Sequence, residues 1–386
     1  MKIYCKPNTS IRLKVLLAYL SIFYFSCGGN DKSGAEHADA GGYFLEKVDS
    51  IYINRENKLS LLDYHPGHNR FLAFDQITEE FLVLDNRGKV LEAVYRKGEG
   101  PNEYNSSLLG ICFNQEDEGY YTLSSTDFLW FDSNWEIKKR LRFMPDAHVV
   151  FYSGPRFKVP YYTLAGTENP YFFANFFTDT NSGIAEEARP PYLIQLYHPK
   201  KDSLEWTLPN QPELLPEFEL DKEDRLAKPV PLFVLDNDAK RMYLTYQRSG
   251  EIGIYDLTTD FKLEKKFAFQ QESFVQSNNS RNLRLFNFSN NTFGILYYKG
   301  LSEAATLARK NKNPDYYPYA DPSLFRMILI RDGVQEEKEI EFPENSEPHA
   351  EILQLPGNRI LLRDKYLGDD EPDYSTYSVF EVQPAL

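Results

Sequence analysis

From Tyr43 onward the chain alternates short apolar runs with turns rich in Asp, Asn and Gly. Each unit is a short apolar strand, a turn, and a second strand whose polarity alternates with a period of two, which predicts strands rather than helices. The clearest unit is Phe81-Leu82-Val83-Leu84-Asp85-Asn86-Arg87-Gly88-Lys89-Val90-Leu91, and a second covers residues 128–137. Later units cover 192–204, 252–263 and 327–336. In three of them an Asp closes the first strand, at Asp85, Asp132 and Asp256, where a carboxylate can accept bonds from the turn's free amides.

The spacing between units predicts the architecture. Asp85 and its counterpart Arg331, four units on, set a period of about 61 residues, so the folded part holds about six units. Four-stranded sheets arranged radially let such a repeat bury both faces of every sheet, and the period is too long for WD40 blades of about 40–45 residues. The expected fold is therefore all-β: a six-bladed β-propeller of four-stranded antiparallel blades over residues 43–386. The last strand, 377–382, lacks a successor, so the segment Tyr43–Ile53 is expected to pair with the C-terminal blade and close the ring, removing two exposed edges. One stretch departs from strand patterning. Ser302 can cap a short Ala-rich helix over 302–312, which leads into a tyrosine-rich loop with Tyr316, Tyr317 and Tyr319.

The segment before the strands has different chemistry. Lys2, Lys6, Arg12 and Lys14 precede an apolar run over 15–25, too short to span a bilayer that needs about 20 helical residues. Ser26 and Cys27 follow. This resembles a bacterial lipoprotein signal, with Tyr24 where such signals usually carry Leu. The resemblance implies cleavage after residue 26, lipidation of Cys27, a tether over 27–42, and attachment to the outer membrane. Only one acid follows closely, in Gly28-Gly29-Asn30-Asp31-Lys32, which favours the periplasmic face over the cell surface. Cys5 leaves with the signal and Cys27 takes the lipid, so Cys112 has no disulfide partner; its apolar surroundings predict a buried core thiol.

The charge narrows the partners. The chain holds 43 Lys and Arg against 57 Asp and Glu, a net charge of -14. Residues 1–26 carry four of the bases and no acid, so the remainder is more acidic still. Such a surface repels phosphate backbones, and no nucleic-acid partner is expected.

Between the first two units lies Arg96-Lys97-Gly98-Glu99-Gly100-Pro101-Asn102-Glu103-Tyr104. It resembles the Gly-x-Gly-Pro-x-Glu-aromatic segment of six-bladed β-propeller lipoproteins of Bacteroidetes, TolB-like or NHL-like propellers of unassigned function. Gly98 and Gly100 permit positive φ and Pro101 stiffens the crossing between blades, so the segment reads first as structural pinning.

Residues just before the innermost strands of a propeller converge on its channel. Here these are Glu103, Asn105, His148, Lys228, Arg281, Arg284 and His349, a mix of cations, imidazoles and a carboxylate suited to a polar or anionic ligand, with hydrated channel lining as the plainer reading. Tyr316, Tyr317 and Tyr319 are candidates for stacking against a glycan or an envelope protein, or for simple loop packing. His65-Pro66-Gly67-His68 reads as a turn rather than a metal site, and 368–373 as a solvated acidic tip without the spacing of a calcium loop. No metal or cofactor is expected. No Gly-x-Ser-x-Gly, His-Glu-x-x-His, phosphate-loop or dinucleotide motif is present. The chain thus reads as a binding or scaffolding module for a glycan, peptide or envelope protein. The alternative is a hydrolase or lyase acting on a sugar or lactone in the funnel, because propeller active sites draw single residues from several blades.

Overall fold

The computed structural model describes residues 42–55, 59–105, 107–115, 118–142, 147–149, 158–162, 171–174, 176–178, 192–198, 203–209, 231–258, 261–275, 279–288, 291–350, 352–366 and 373–385. The expected signal segment, Cys27, nearly all of the tether, Lys228 and most of the acidic stretch at 368–373 lie outside the described residues; of His148 only the backbone is described.

The molecule is a β-propeller of antiparallel sheets. Strand β1 (Tyr43–Ile53) is set aside at first, and a sheet forms from β2 (Leu59–His65), β3 (Arg70–Asp75), β4 (Glu80–Asp85) and β5 (Val90–Tyr95) in sequence order. The next is β6 (Leu108–Phe113), β7 (Tyr120–Ser124), β8 (Asp127–Phe131) and β9 (Ile137–Arg142). Strand β10 (Ala147–Val149) pairs with β13 (Phe176–Thr178) as a two-stranded ribbon, beside a sheet ordered β11 (Tyr161–Tyr162), β12 (Tyr171–Ala174), β14 (Tyr192–His198), β15 (Ser203–Pro209). The sheet β16 (Pro231–Asp236), β17 (Arg241–Tyr246), β18 (Glu251–Asp256), β19 (Lys262–Ala268) follows.

The next sheet corrects the expectation of six four-stranded blades. It holds β20 (Arg281–Asn287), β21 (Thr292–Tyr298), β22 (Phe325–Arg331), β23 (Val334–Gln335) and β24 (Ile340–Glu341), five strands rather than four. Its outer edge is split: β23 pairs with one end of β22 and β24 with the other. Between them Glu339 turns its carboxylate to the Tyr297 hydroxyl at 2.6 Å and the Glu272 amide at 2.9 Å, so that stretch leaves the ladder. The last sheet is ordered β1, β27 (Ser375–Pro384), β26 (Arg359–Arg363), β25 (Leu353–Leu355). Five sheets are thus four-stranded. The first strand pairs with the last over ten residues, from Tyr43 opposite Pro384 to Ile53 opposite Ser375, as expected from the sequence.

Helix α1 (Glu303–Lys312) lies between β21 and β22, where the Ala-rich pattern placed it. The Ser302 hydroxyl caps it by accepting the Ala305 amide, while Arg309, Lys310 and Lys312 complement its C-terminal carbonyls.

The core lies between sheets rather than inside one. Alternate residues of each strand face opposite neighbours, so Leu72, Phe74, Phe81 and Val83 pack toward Leu129, Phe131 and Trp135 of the next sheet, whereas Phe71, Ala73, Leu82 and Leu84 pack toward Leu353, Tyr377 and Val379 of the last one. Cys112 is fully buried beside Tyr121 and Val159, the core role its sequence context predicts.

The hairpin turns show how local chemistry holds each sheet. Asp85 Oδ1 accepts the amides of Arg87 and Lys89, and Asp132 Oδ1 those of Asn134 and Glu136. In the first turn the left-handed position is Gly88, φ +89°; a Cβ there would stand 2.4 Å from the Tyr52 carbonyl oxygen. In the second the same position is Trp135, φ 61°. A bulky residue pays for that conformation by about 1–2 kcal/mol. Packing offsets it: Trp135 is 1% exposed, stacks on Tyr120 at 3.8 Å and Phe81 at 5.0 Å, and donates its indole N–H to Glu92 at 3.0 Å.

Trp135→Ala is therefore expected to cost about 3–5 kcal/mol in urea unfolding. Trp135→Gly should be no worse than the alanine variant, inverting the usual order, because glycine adopts φ near 60° freely.

Candidate functional site

The first strand of each sheet from β2 to β20, and β25 in the last, pairs with a strand on one side only. Its other edge carries backbone groups that cost about 1–3 kcal/mol each if buried without a partner. Side chains from neighbouring sheets take them up. Asp63 of β2 accepts the Phe113 amide of β6 at 2.9 Å. The Tyr161 hydroxyl accepts the Gln115 amide at 2.8 Å. Asn282 of β20 makes a different tie, donating to the carbonyls of Tyr246 and Ser249 at the turn that leaves β17. Gln354 of β25 accepts the Asn287 amide and donates to the Asn287 carbonyl, and the Arg284 guanidinium donates to the Ile352 carbonyl.

These strands surround a cavity of about 600 Å³. Its wall is largely apolar, with Leu61, Leu62, Phe233, Val234, Leu283 and Ile352 among the lining residues. Lys158, Arg284, Gln115, Asn287 and Gln354 supply polar groups, and Asp236 and Asp238 sit where β16 ends.

The most distinctive group is Lys158. Its ammonium is 2.7 Å from Asp63 Oδ1; the Asp63 side chain is 1% exposed, whereas that of Lys158, one of the residues lining the cavity, is 50% exposed. Asp63 Oδ1 also accepts the Tyr64 amide at 2.8 Å. A register shift in β2 between Leu61 and Asp63 sets this carboxylate in place. Burial alone would lower the Lys158 pKa, but the Asp63 charge and hydrogen bond outweigh it and hold the ammonium above its usual value. It is protonated at neutral pH. Burial and the Asp63 charge push the Cys112 thiol well up, so it stays neutral beside this pair.

Of the residues proposed from sequence, Arg284 lines the cavity. Glu103, Asn105, Arg281 and His349 are not among its described lining residues; Asn105 and His349 are exposed, and the His148 side chain and Lys228 lie outside the description. The cavity follows the inner strands toward the ends where they turn into the second strand of each sheet, past Tyr64, Asp236, Asn287 and Pro356. Lys158 and Ile352, just before β11 and β25, line it as well, so lying before an inner strand does not by itself separate the candidates.

The segment 96–104 is a pin. Glu103 Oε2 accepts the Gly100 amide at 2.7 Å, Asn102 Oδ1 accepts the Ile137 amide at 3.0 Å, and the Glu103 carbonyl accepts from Arg140. Neither glycine has positive φ. Gly98 is needed for a different reason: a Cβ there would meet Glu103 Oε2 at 2.1 Å. The rim tyrosines divide. Tyr316 bonds Arg309 and Asp321, and Tyr319 stacks on Tyr298 at 4.7 Å and accepts from Arg281 at 2.7 Å, whereas Tyr317 is 58% exposed. His65 Nδ1 accepts the His68 amide across the Pro-Gly turn, as a turn requires. Among the described residues no group of three or more His, Cys, Asp or Glu is placed to hold a metal.

The sequence reading passed over Asp63, Lys158, Asn287 and Gln354. The first two carry a visible signal, a single charge inside an apolar run, in Leu59-Ser60-Leu61-Leu62-Asp63 and in Phe157-Lys158-Val159-Pro160-Tyr161. Charges are rarely buried without a partner, so the Asp63 carboxylate implies a counter-charge, though not which residue supplies it.

With this geometry in place, comparisons with known proteins add the following. A solved structure of a member of the duf4221 family from Bacteroides vulgatus is similar over 89% of this chain and 99% of that one, with a TM-score of 0.66 and 10% identity. A Bacteroides fragilis protein described as exported is similar over 90% of this chain and 98% of that one, at TM-score 0.48 and 10% identity. A calcium-binding protein, regucalcin, from Agrobacterium tumefaciens is similar over 88% and 95%, at TM-score 0.47 and 9% identity. At such identities the likeness shows the fold alone, and the first carries it. No family model and no curated protein matches the chain. No helix among the described residues is long and apolar enough to cross a membrane.

Asp63→Ala is expected to cost about 2–4 kcal/mol in urea unfolding, because it strands two amides and the ammonium. Asp63→Asn should cost less, since its side-chain oxygen still accepts the Phe113 amide.

Proposed function

We propose that this chain is an envelope-anchored binding module whose recognition site is the axial cavity. The observation that carries the reading is the cavity itself: about 600 Å³, lined by apolar side chains with a few fixed polar groups, the usual make-up of a ligand pocket. The five-stranded sheet counts as a sixth blade in this reading, and the pairing of β1 with β27 closes the ring and keeps the wall rigid. A rigid ring supports recognition without further machinery.

The anchoring half rests on the N-terminal sequence. Cys27 takes the lipid, 27–42 forms the tether, and the propeller stands at the outer membrane on its periplasmic face.

Native mass spectrometry of the protein purified gently from the envelope of cells that express it is expected to show one bound small molecule per chain. Leu283→Trp, which fills the cavity from β20, should lose that adduct while keeping the unfolding temperature within a few degrees; an adduct equally retained would place binding elsewhere. Cys27→Ser is expected to abolish metabolic labelling with palmitate and to move the protein from the membrane to the soluble envelope fraction. Persistent labelling would contradict the anchor.

A further inference from the structure

We infer that the cavity takes a small amphiphilic anion, an apolar body bearing one carboxylate, sulfonate or phosphate group, with Lys158 as its counter-charge. This deepens the proposed function and rests on it.

An ammonium has three N–H donors and no acceptor. Lys158, one of the residues lining the cavity, spends one on Asp63 Oδ1, and its side chain is half exposed. The Asp63 oxygens are occupied by the Tyr64 amide, the Phe113 amide and Lys158 itself. The carboxylate therefore orients and charges the ammonium from behind without reaching the cavity. Arg284 adds a second positive charge from a different sheet.

A neutral sugar presents hydroxyls on every side and needs many uncommitted donors and acceptors. Among the described lining residues the Gln354 amide is consumed at both ends by the backbone of Asn287. The half-buried Phe233, Val234, Leu235 and Leu283 suit an apolar body instead. Asp236 and Asp238 at the end of β16 set a limit on charge. A small anion passes two solvated carboxylates, whereas a polyanion is repelled along its length.

The test uses two fluorescent probes of one shape. 8-Anilinonaphthalene-1-sulfonate carries an anionic group; N-phenyl-1-naphthylamine has the same rings without it. Each is titrated into the folded protein, with stoichiometry and unfolding temperature recorded. The sulfonate is expected to bind at one site at least about tenfold more tightly than the neutral probe, the scale of one charge-assisted hydrogen bond. Lys158→Arg should keep that preference and Lys158→Met should remove it, leaving the neutral probe's affinity within about twofold. Because Lys158→Met leaves Asp63 unpaired, the double variant Asp63→Asn/Lys158→Met provides the same test in a neutral, folded background. Equal binding of the two probes, or a preference that survives in the double variant, overturns the anion inference while the cavity remains a binding site. Failure of both probes to bind the native protein overturns the cavity reading as well.

Discussion

The constraint on which the structure depends is the free edge of each innermost strand. A propeller pairs that strand with one neighbour and turns its other edge toward the axis, where backbone groups still require partners. In this chain the partners are side chains reaching from neighbouring sheets: Asp63 to Phe113, Tyr161 to Gln115, Gln354 to Asn287, Arg284 to Ile352. The bonds do two jobs. They tie sheets whose strands do not share a ladder, and they place a small set of polar groups around an otherwise apolar cavity.

Most of those polar groups are consumed by the task. The exception is created by the burial of Asp63, which needs a counter-charge once its amide bonds are made; Lys158, half exposed and among the residues lining the cavity, supplies it. A structural requirement thus leaves a fixed positive charge with donors to spare. Apolar packing between sheets keeps that arrangement rigid, and Trp135 illustrates its strength, since stacking holds a bulky residue in a conformation that glycine takes at the equivalent position, Gly88.

Much of the fold was legible because strands and turns announce themselves locally. The units at 81–91 and 128–137, the turn aspartates, the Ser302 cap and the pairing of Tyr43–Ile53 with the last strand follow from period, turn chemistry and an unpaired terminal strand. The split outer edge at β23 and β24 was not legible, since it depends on Glu339 reaching Tyr297 in a different strand. Spacing between sheets also varied, 49 residues from Leu59 to Leu108 but 72 from Arg281 to Leu353, where α1 and its loop are inserted.

The site was read less well for a related reason. Locating candidates by their position before the inner strands needs the strand boundaries and the direction each side chain takes, and a strand pattern fixes neither: Lys158 and Ile352, just before β11 and β25, line the cavity, whereas Glu103 and His349 are not among its described lining residues. Arg284, within β20, lines it. Asp63 and Lys158 are 95 residues apart in the chain, and only the fold makes them a pair. The most direct measurement is a crystal structure of the protein with 8-anilinonaphthalene-1-sulfonate bound. The account predicts the rings against Phe233, Val234 and Leu283 and a sulfonate oxygen about 2.8 Å from Lys158 Nζ; a dye seated outside the cavity, or inside it with the sulfonate turned away from Lys158, would contradict it.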